Sequence, residues 1–245
     1  MACAVSTRGS SLRERAFLPR RGRRTRLQFV SVRLSLRVRD LVVASWPAER
    51  EAVARAVYPG LEPAVIDGEH LVSIVGIRFA GGRLGALPVP PFSQLNARTY
   101  VEGEDRTAVF FLRSYVTPGG IGGAAFGIPL RAARVRVGSD RLEARGAGVA
   151  LRFRTTTAGG PGELATHEDG FFEAAGLRRF RIRRGDADWT AAEVEGEPRA
   201  DVLLAHGFGV AGRPRVFYAR GASFETDVPP RAVPLPRSSS SRSRR

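Results

Sequence analysis

The sequence contains no lysine: all 39 of its basic residues are arginine. That absence removes the side chain that forms imines with ketones and the one a phosphate-gripping P-loop needs. Arginine stays protonated at any working pH and does not replace it as a nucleophile. Cys3 is the only cysteine, which excludes a disulfide within the chain and a thiolate metal cluster. The three histidines, His70, His167 and His206, show no HExxH or other paired spacing, so each reads first as a lone surface or core residue. No apolar run approaches the ~20 residues that cross a bilayer, and segments such as LVVASW at 41–46 are of strand length. No segment near the start joins a charged stretch to an apolar one as a secretory signal does. No GxSxG elbow marks a hydrolase. The expectation is a cytoplasmic protein with no membrane partner, no metal and no cofactor.

What is present is a chain of 245 residues, 43% hydrophobic, enough for a real core in one ordinary domain or two small ones. Its net charge of +15 is unevenly placed. Residues 1–39 hold 11 arginines and one acid, residues 231–245 hold 5 arginines and no acid, and residues 40–230 balance 23 against 23. The basicity therefore belongs to the ends. Basic ends can hold nucleic acid or other polyanions non-specifically and in a salt-dependent way. An Arg-, Ala-, Gly- and Pro-rich chain without lysine is also what GC-rich coding DNA yields. The first residues are then either native or an upstream extension from a misplaced start, and their Arg- and Ser-rich composition mimics an organelle transit peptide. Residues 1–26 are expected to be a disordered Arg-rich extension and 231–245 a disordered Arg/Ser tail. Residues 27–39 include VSVRLSLRVR, whose alternation predicts a strand belonging either to the domain or to the extension. The domain itself is expected over 40–230.

Within that span LVVASW predicts a strand. AEREAVARAVY (48–58) predicts a helix, with Ala52, Val53, Ala56 and Val57 on one side and Pro59-Gly60 as its stop. AVI, Asp67-Gly68 and LVSIVGIRF (71–79) predict a hairpin with a type I′ turn, followed by a Gly/Pro-rich loop at 81–93. QLNARTYV (94–101) and TAVFFLRSYV (107–116) predict a second hairpin, its second strand buried on both faces. A meander over about 130–156, a short helix in PGELATHED, and strands at 177–184, 189–195 and 215–221 complete the pattern. Many short strands with few helices predict an α+β domain on one large, mainly antiparallel sheet. Closing that sheet into a barrel or cone removes its edges.

GGIGGAAFG (119–127) carries the letters of a dinucleotide loop at Gly120, Gly122 and Ala125, but Pro129 leaves no room for the helix that loop requires. QLNARTY is more informative. Alternation places Asn96, Arg98 and Tyr100 on one strand face and Leu95, Ala97, Thr99 and Val101 on the other. Three hydrogen-bonding side chains on a central strand would be costly if buried without partners. They read as a polar pocket lining, with Arg98 gripping a carboxylate, or as a solvated face, or with Arg98 paired to an internal acid.

The run from LVVASWP through YPGLEP, VGIRFAG, PPFSQLNARTYV, FGIPLRAA and RVFYARGASFETDVPP resembles the bacterial YqjF-like domain-of-unknown-function family, itself similar to acetoacetate decarboxylase. The resemblance covers about residues 40–230 and implies a curved antiparallel sheet closing into a cone around a small pocket. In the decarboxylase the Gly-x-Pro is followed by two lysines, the first forming a Schiff base and the second lowering its pKa. Leu130 and Arg131 stand at those positions, so acetoacetate decarboxylase activity is not expected. What the resemblance leaves is a site for a small carboxylate or carbonyl compound, either bound only or transformed without an imine. In it Arg98 and Arg131 would hold the anion, Asn96 and Tyr100 orient it, and Trp46 or Phe79 supply apolar wall. No general base is assigned. The alternative is a non-catalytic interaction protein whose basic tails contact nucleic acid or acidic surfaces.

Overall fold

The computed structural model describes residues 31–117, 129–165 and 167–233. The extension at 1–26, the glycines of the dinucleotide-like pattern, Gly127 and Ile128 of the Gly-x-Pro, and the tail from 234 lie outside the described residues. So does any contact the basic ends would make.

The alternating run before Asp40 and LVVASW form one strand, β1 (Val32–Pro47). It is bordered by β2 (Leu71–Leu84) and β13 (Arg215–Val228), both antiparallel to it. In the first half of β1, Leu34, Leu36 and Val38 face one side; past Arg39, Leu41 and Val43 face that same side. The parity changes because the register with β2 shifts on both sides of Val38. β2 passes over Ala80 at this level, and β13 places Gly221, with φ +67°, opposite Arg39. Irregularities aligned across three neighbouring strands bend the sheet sharply, as bulges do at barrel corners. Gly82 lies at the same bend, where a Cβ would stand 2.0 Å from the Ser35 carbonyl oxygen.

From β2 the sheet continues through β4 (Phe92–Glu102), β5 (Thr107–Val116), β10 (Asp169–Glu173) and β11 (Leu177–Arg184). The end of β11 then pairs with β13, Ile182 opposite Thr226 and Arg184 opposite Phe224. This closes a seven-stranded barrel, antiparallel except between β5 and β10. The other half of β13 pairs with β12 (Asp188–Ala200), which leads to β9 (Val149–Ala158), β8 (Arg141–Arg145) and β7 (Arg134–Val137). This four-stranded wing folds back so that β7 touches β2 and β4. β3 (Leu87–Val89) pairs with β2, β6 (Leu130–Ala132) lies parallel to β5, and β14 (Arg231–Ala232) pairs with β11.

Two apolar cores result. One fills the barrel, with Leu34, Leu41, Val75, Phe111, Phe172 and Phe180 among its residues. The other lies between the barrel's outer face and the wing. It holds Val42, Ile74, Leu95, Phe110, Leu142 and Phe153, together with α1 (Arg50–Ala56) and α2 (Asp201–Leu204) through Val53 and Leu203. β5 serves both, as its consecutive apolar residues predict: Val109 and Phe111 face the barrel, Phe110 the outer core.

The α+β class and the closed antiparallel architecture agree with the sequence reading; several local elements differ. The hairpin expected around Asp67-Gly68 keeps its left-handed turn, φ +52° and +83°, but only Ile66 and Glu69 bridge. Residues 62–64 instead bond to the end of β4, Ala64 N–H to the Tyr100 carbonyl and Glu102 N–H to the Glu62 carbonyl. The loop expected at 81–93 is mostly strand, because Gly81 (φ +104°) and Gly82 let β2 run through the bend before turning into β3. PGELATHED gives a single 3-10 turn at Gly162–Ala165. β10 and α2 have no counterpart in the sequence reading, and Arg231–Ala232 pairs just past the expected boundary at 230. Among the described residues no helix is long and apolar enough to cross a membrane, and no three His, Cys, Asp or Glu are grouped to hold a metal.

Candidate functional site

Strand alternation on β4 turns Phe92, Gln94, Asn96, Arg98 and Tyr100 into the barrel, while Leu95, Ala97 and Val101 enter the outer core. The register supplies their neighbours. Arg98 stands opposite Ser73 of β2, and Ser73 opposite Ser45 of β1. Side chains directly opposite on one sheet face lie within reach of each other, and here they form a buried hydrogen-bonded chain. Arg98 Nη2 donates to Tyr100 OH at 3.3 Å; Tyr100 OH and Ser73 Oγ are 2.8 Å apart, and Ser73 Oγ and Ser45 Oγ 2.7 Å. Arg98 Nη2 also donates to the Leu164 carbonyl at 3.1 Å, tying the strand to the 3-10 turn. Nearer the other end, Gln94 Nε2 donates to Asn96 Oδ1 at 2.8 Å.

The charge on Arg98 is the unusual element. The residue is 3% exposed, none of its hydrogen-bond partners among the described residues is a carboxylate, and its Nε has no partner. A buried guanidinium is costly unless an anion or a full set of acceptors surrounds it. The two acids that also line its cavity, Glu168 and Asp169, are committed elsewhere. Asp169 takes a bidentate bond from Arg179, at 3.2 and 3.1 Å, and Glu168 lies 3.9 Å from both Arg106 and Arg181.

Arg98 lines a cavity of about 30 Å³, enclosed also by Asn96, His167, Phe180, Arg184 and Phe224. That is room for about one or two waters. His167 is buried, its ring 5.0 Å from the Tyr100 ring. Its Nδ1 lies 3.0 Å from the Thr107 carbonyl and its Nε2 has no partner. Burial, and after it the charge of Arg98, pull the imidazole down to about 3, so the ring is neutral near pH 7. A neutral ring donating from Nδ1 to a carbonyl presents Nε2 as a bare acceptor. Arg184, 5.3 Å over the Phe224 ring, is pulled down to about 10 by burial and by Arg98. Ser114, opposite Asn96 on β5, has a buried hydroxyl with no partner. The barrel thus gathers positive charge and unsatisfied polar atoms around a small space.

Of the residues singled out from sequence, Asn96, Arg98 and Tyr100 come together. Phe79 is in the same core, stacked on Phe92 at 4.5 Å and edge-on to Phe224 at 6.1 Å. Trp46 and Arg131 do not join them. Trp46 follows the bend in β1, whose even-numbered positions face the outer core there, and its Nε1 donates to the Gly212 carbonyl at 3.4 Å. β6 alternates, so Leu130 packs against the barrel core while Arg131 is exposed. Arg131 faces His206, which burial and the charges of Arg113 and Arg131 hold below its ordinary pKa. A joint grip of Arg98 and Arg131 on one anion is therefore not built. The position equivalent to the decarboxylase nucleophile does reach the barrel, but as a leucine.

Ser45, Ser73, Ser114, His167 and Arg184 were not singled out from sequence. Ser45 and Ser73 had a signal, each being the lone polar residue in an apolar run, LVVASW and LVSIVGI. His167 had none, since it follows a turn whose direction only the fold decides.

Residues 35–222 match the DUF2071 family, described as an uncharacterized conserved protein. The chain belongs to the DUF2071 family. No curated protein matches it in sequence. Among solved structures, this DUF2071 protein is similar to acetoacetate decarboxylase from Legionella pneumophila subsp. pneumophila str. Philadelphia 1, with TM-score 0.59 and 12% identity over 83% of this chain and 87% of that one. It is similar also to an acetoacetate decarboxylase-like enzyme from Sphingomonas wittichii RW1, with TM-score 0.56 and 15% identity over 79% and 90%. A third is the enduracididine biosynthesis enzyme MppR complexed with pyruvate, with TM-score 0.54 and 14% identity over 86% and 93%. These likenesses establish that the DUF2071 chain has the acetoacetate decarboxylase-like fold.

Proposed function

We propose that this protein binds a small carboxylate inside its barrel, with Arg98 as the anion-gripping residue, and that it does so without Schiff-base chemistry. The observation that carries the reading is the buried Arg98 guanidinium, its Nε unpartnered beside a cavity and no carboxylate among its partners. A carboxylate placed there supplies the missing counter-charge and a charge-assisted hydrogen bond. Asn96, on the same face, orients it. Arg184 adds a second positive charge at the cavity wall. MppR, which shares the fold, was solved with pyruvate, a small carboxylate. We read the protein as bacterial and cytoplasmic, in line with a chain that holds a single cysteine.

Thermal unfolding of the full chain with acetate, propionate, glycolate and pyruvate tests this. At a ligand concentration 100 times Kd, stabilisation is about 2.7 kcal/mol, or roughly 5–10 °C in Tm for a domain of this size. Arg98→Met should remove the response to every acid while leaving a folded protein, since replacing a buried charge by an apolar side chain of similar length is often neutral or stabilising. A wild type indifferent to all four acids, or a Met variant that still responds, refutes the proposal.

A further inference from the structure

The unpartnered Arg98 Nε is a donor, whereas the unpartnered His167 Nε2 is an acceptor, and both line the same cavity. A plain carboxylate offers only acceptors. It would satisfy Arg98 and leave His167 facing it with a lone pair. We propose that the ligand is a short hydroxy acid, its carboxylate on Arg98 and its hydroxyl donating to His167 Nε2. The inference rests on the carboxylate reading above and narrows it to one chemical class.

Three features fix the polarity of His167. Its Nδ1 is 3.0 Å from the Thr107 carbonyl, which only accepts, so the ring proton is on Nδ1. The ring is 3% exposed and packed on Tyr100, so it cannot turn outward to water without leaving the core. The groups facing it from other strands are Arg98 and Tyr100 on β4 and Arg184 on β11, and the two guanidiniums both oppose a second proton on the ring. The hydroxyl of Tyr100 is not the missing donor, because His167 Nε2 has no hydrogen-bond partner among the described residues. The cavity as it stands, about 30 Å³, is smaller than a hydroxy acid, so the occupant must be short and the lining side chains must move apart to admit it.

Glycolate and propionate have the same number of heavy atoms and differ by a hydroxyl in place of a methyl group. Their affinities for the full-length wild type, measured by calorimetry or by chemical-shift titration, isolate the predicted contact. Glycolate should bind at least ~10-fold tighter, because propionate leaves a buried acceptor unpaired. In His167→Asn the amide NH2 keeps the bond to the Thr107 carbonyl while no acceptor stands at the position of Nε2, so the two affinities should converge. Equal affinities in the wild type overturn the inference and leave the carboxylate reading standing. A preference that survives in His167→Asn also overturns it, by placing the hydroxyl elsewhere. If neither acid binds, both readings fall. Should the variant not fold, the wild-type pair alone decides.

Discussion

Acid should destabilise this protein through His167 in a way that a single substitution removes. The unfolded chain titrates that imidazole near 6.5, and the folded chain near 3. Between those values the unfolded state binds the additional proton and the folded state does not. Stability therefore rises with pH across the window and is lost as pH falls from about 6.5 toward 3. Moving from pH 7 to pH 5 crosses about 1.5 units of it, which corresponds to about 2 kcal/mol. Urea denaturation of wild type and His167→Asn at both pH values gives the test as a double difference. Every other titratable group is common to both proteins and cancels in the double difference. The wild type should lose about 2 kcal/mol more than the variant between pH 7 and pH 5. Equal losses would mean that the ring is protonated in the fold or open to water, and the assignment of Nε2 as a bare acceptor would fail with it.

Three further outcomes are expected. Tyr100→Phe removes the hydroxyl that joins Arg98 to Ser73 and should cost about 1–3 kcal/mol in urea unfolding, since both partners stay buried. Gly82→Ala sets a Cβ 2.0 Å from the Ser35 carbonyl oxygen and should cost about 3 kcal/mol or more, visible as a large fall in Tm. Borohydride treatment of the wild type with pyruvate should leave no adduct at any internal residue by mass spectrometry, because no side-chain amine exists to form the imine.

The legible part of the sequence was that in which period and face are local properties. QLNARTY divides its faces in the fold as simple alternation requires, because β4 pairs with β2 in unbroken register from Phe92 to Thr99. The closed sheet followed from many strands, few helices and no unprotected edge. Trp46 was misjudged because its facing depends on the irregularity at Arg39, seven residues earlier, which reverses parity without a glycine or proline beside it in β1 to announce it. The extent of β2 was missed for the opposite reason: Gly81 and Gly82 read as loop letters, yet here they let a strand bend rather than end. Arg131 was placed by homology of position, and alternation on a three-residue strand sends it outward. His167 enters the barrel through the turn after β9, a non-local event that no spacing in the chain encodes.

The sharing of β1 and β13 between the two cores has a consequence for how the protein opens. Adjacent residues of β1, Leu41 and Val42, belong to different cores, and β13 holds the barrel seam with one half and the wing with the other. Separating these strands would wet both interiors together. The wing cannot peel off as a lid while the barrel persists, nor can the barrel unseam beneath an intact wing. Partial unfolding should thus be confined to loops and to short strands such as β3, β6 and β14, with everything else surrendered in one step. A guest that reaches Arg98 must enter a barrel whose staves stay in place, so the filter on its size acts before its chemistry is read.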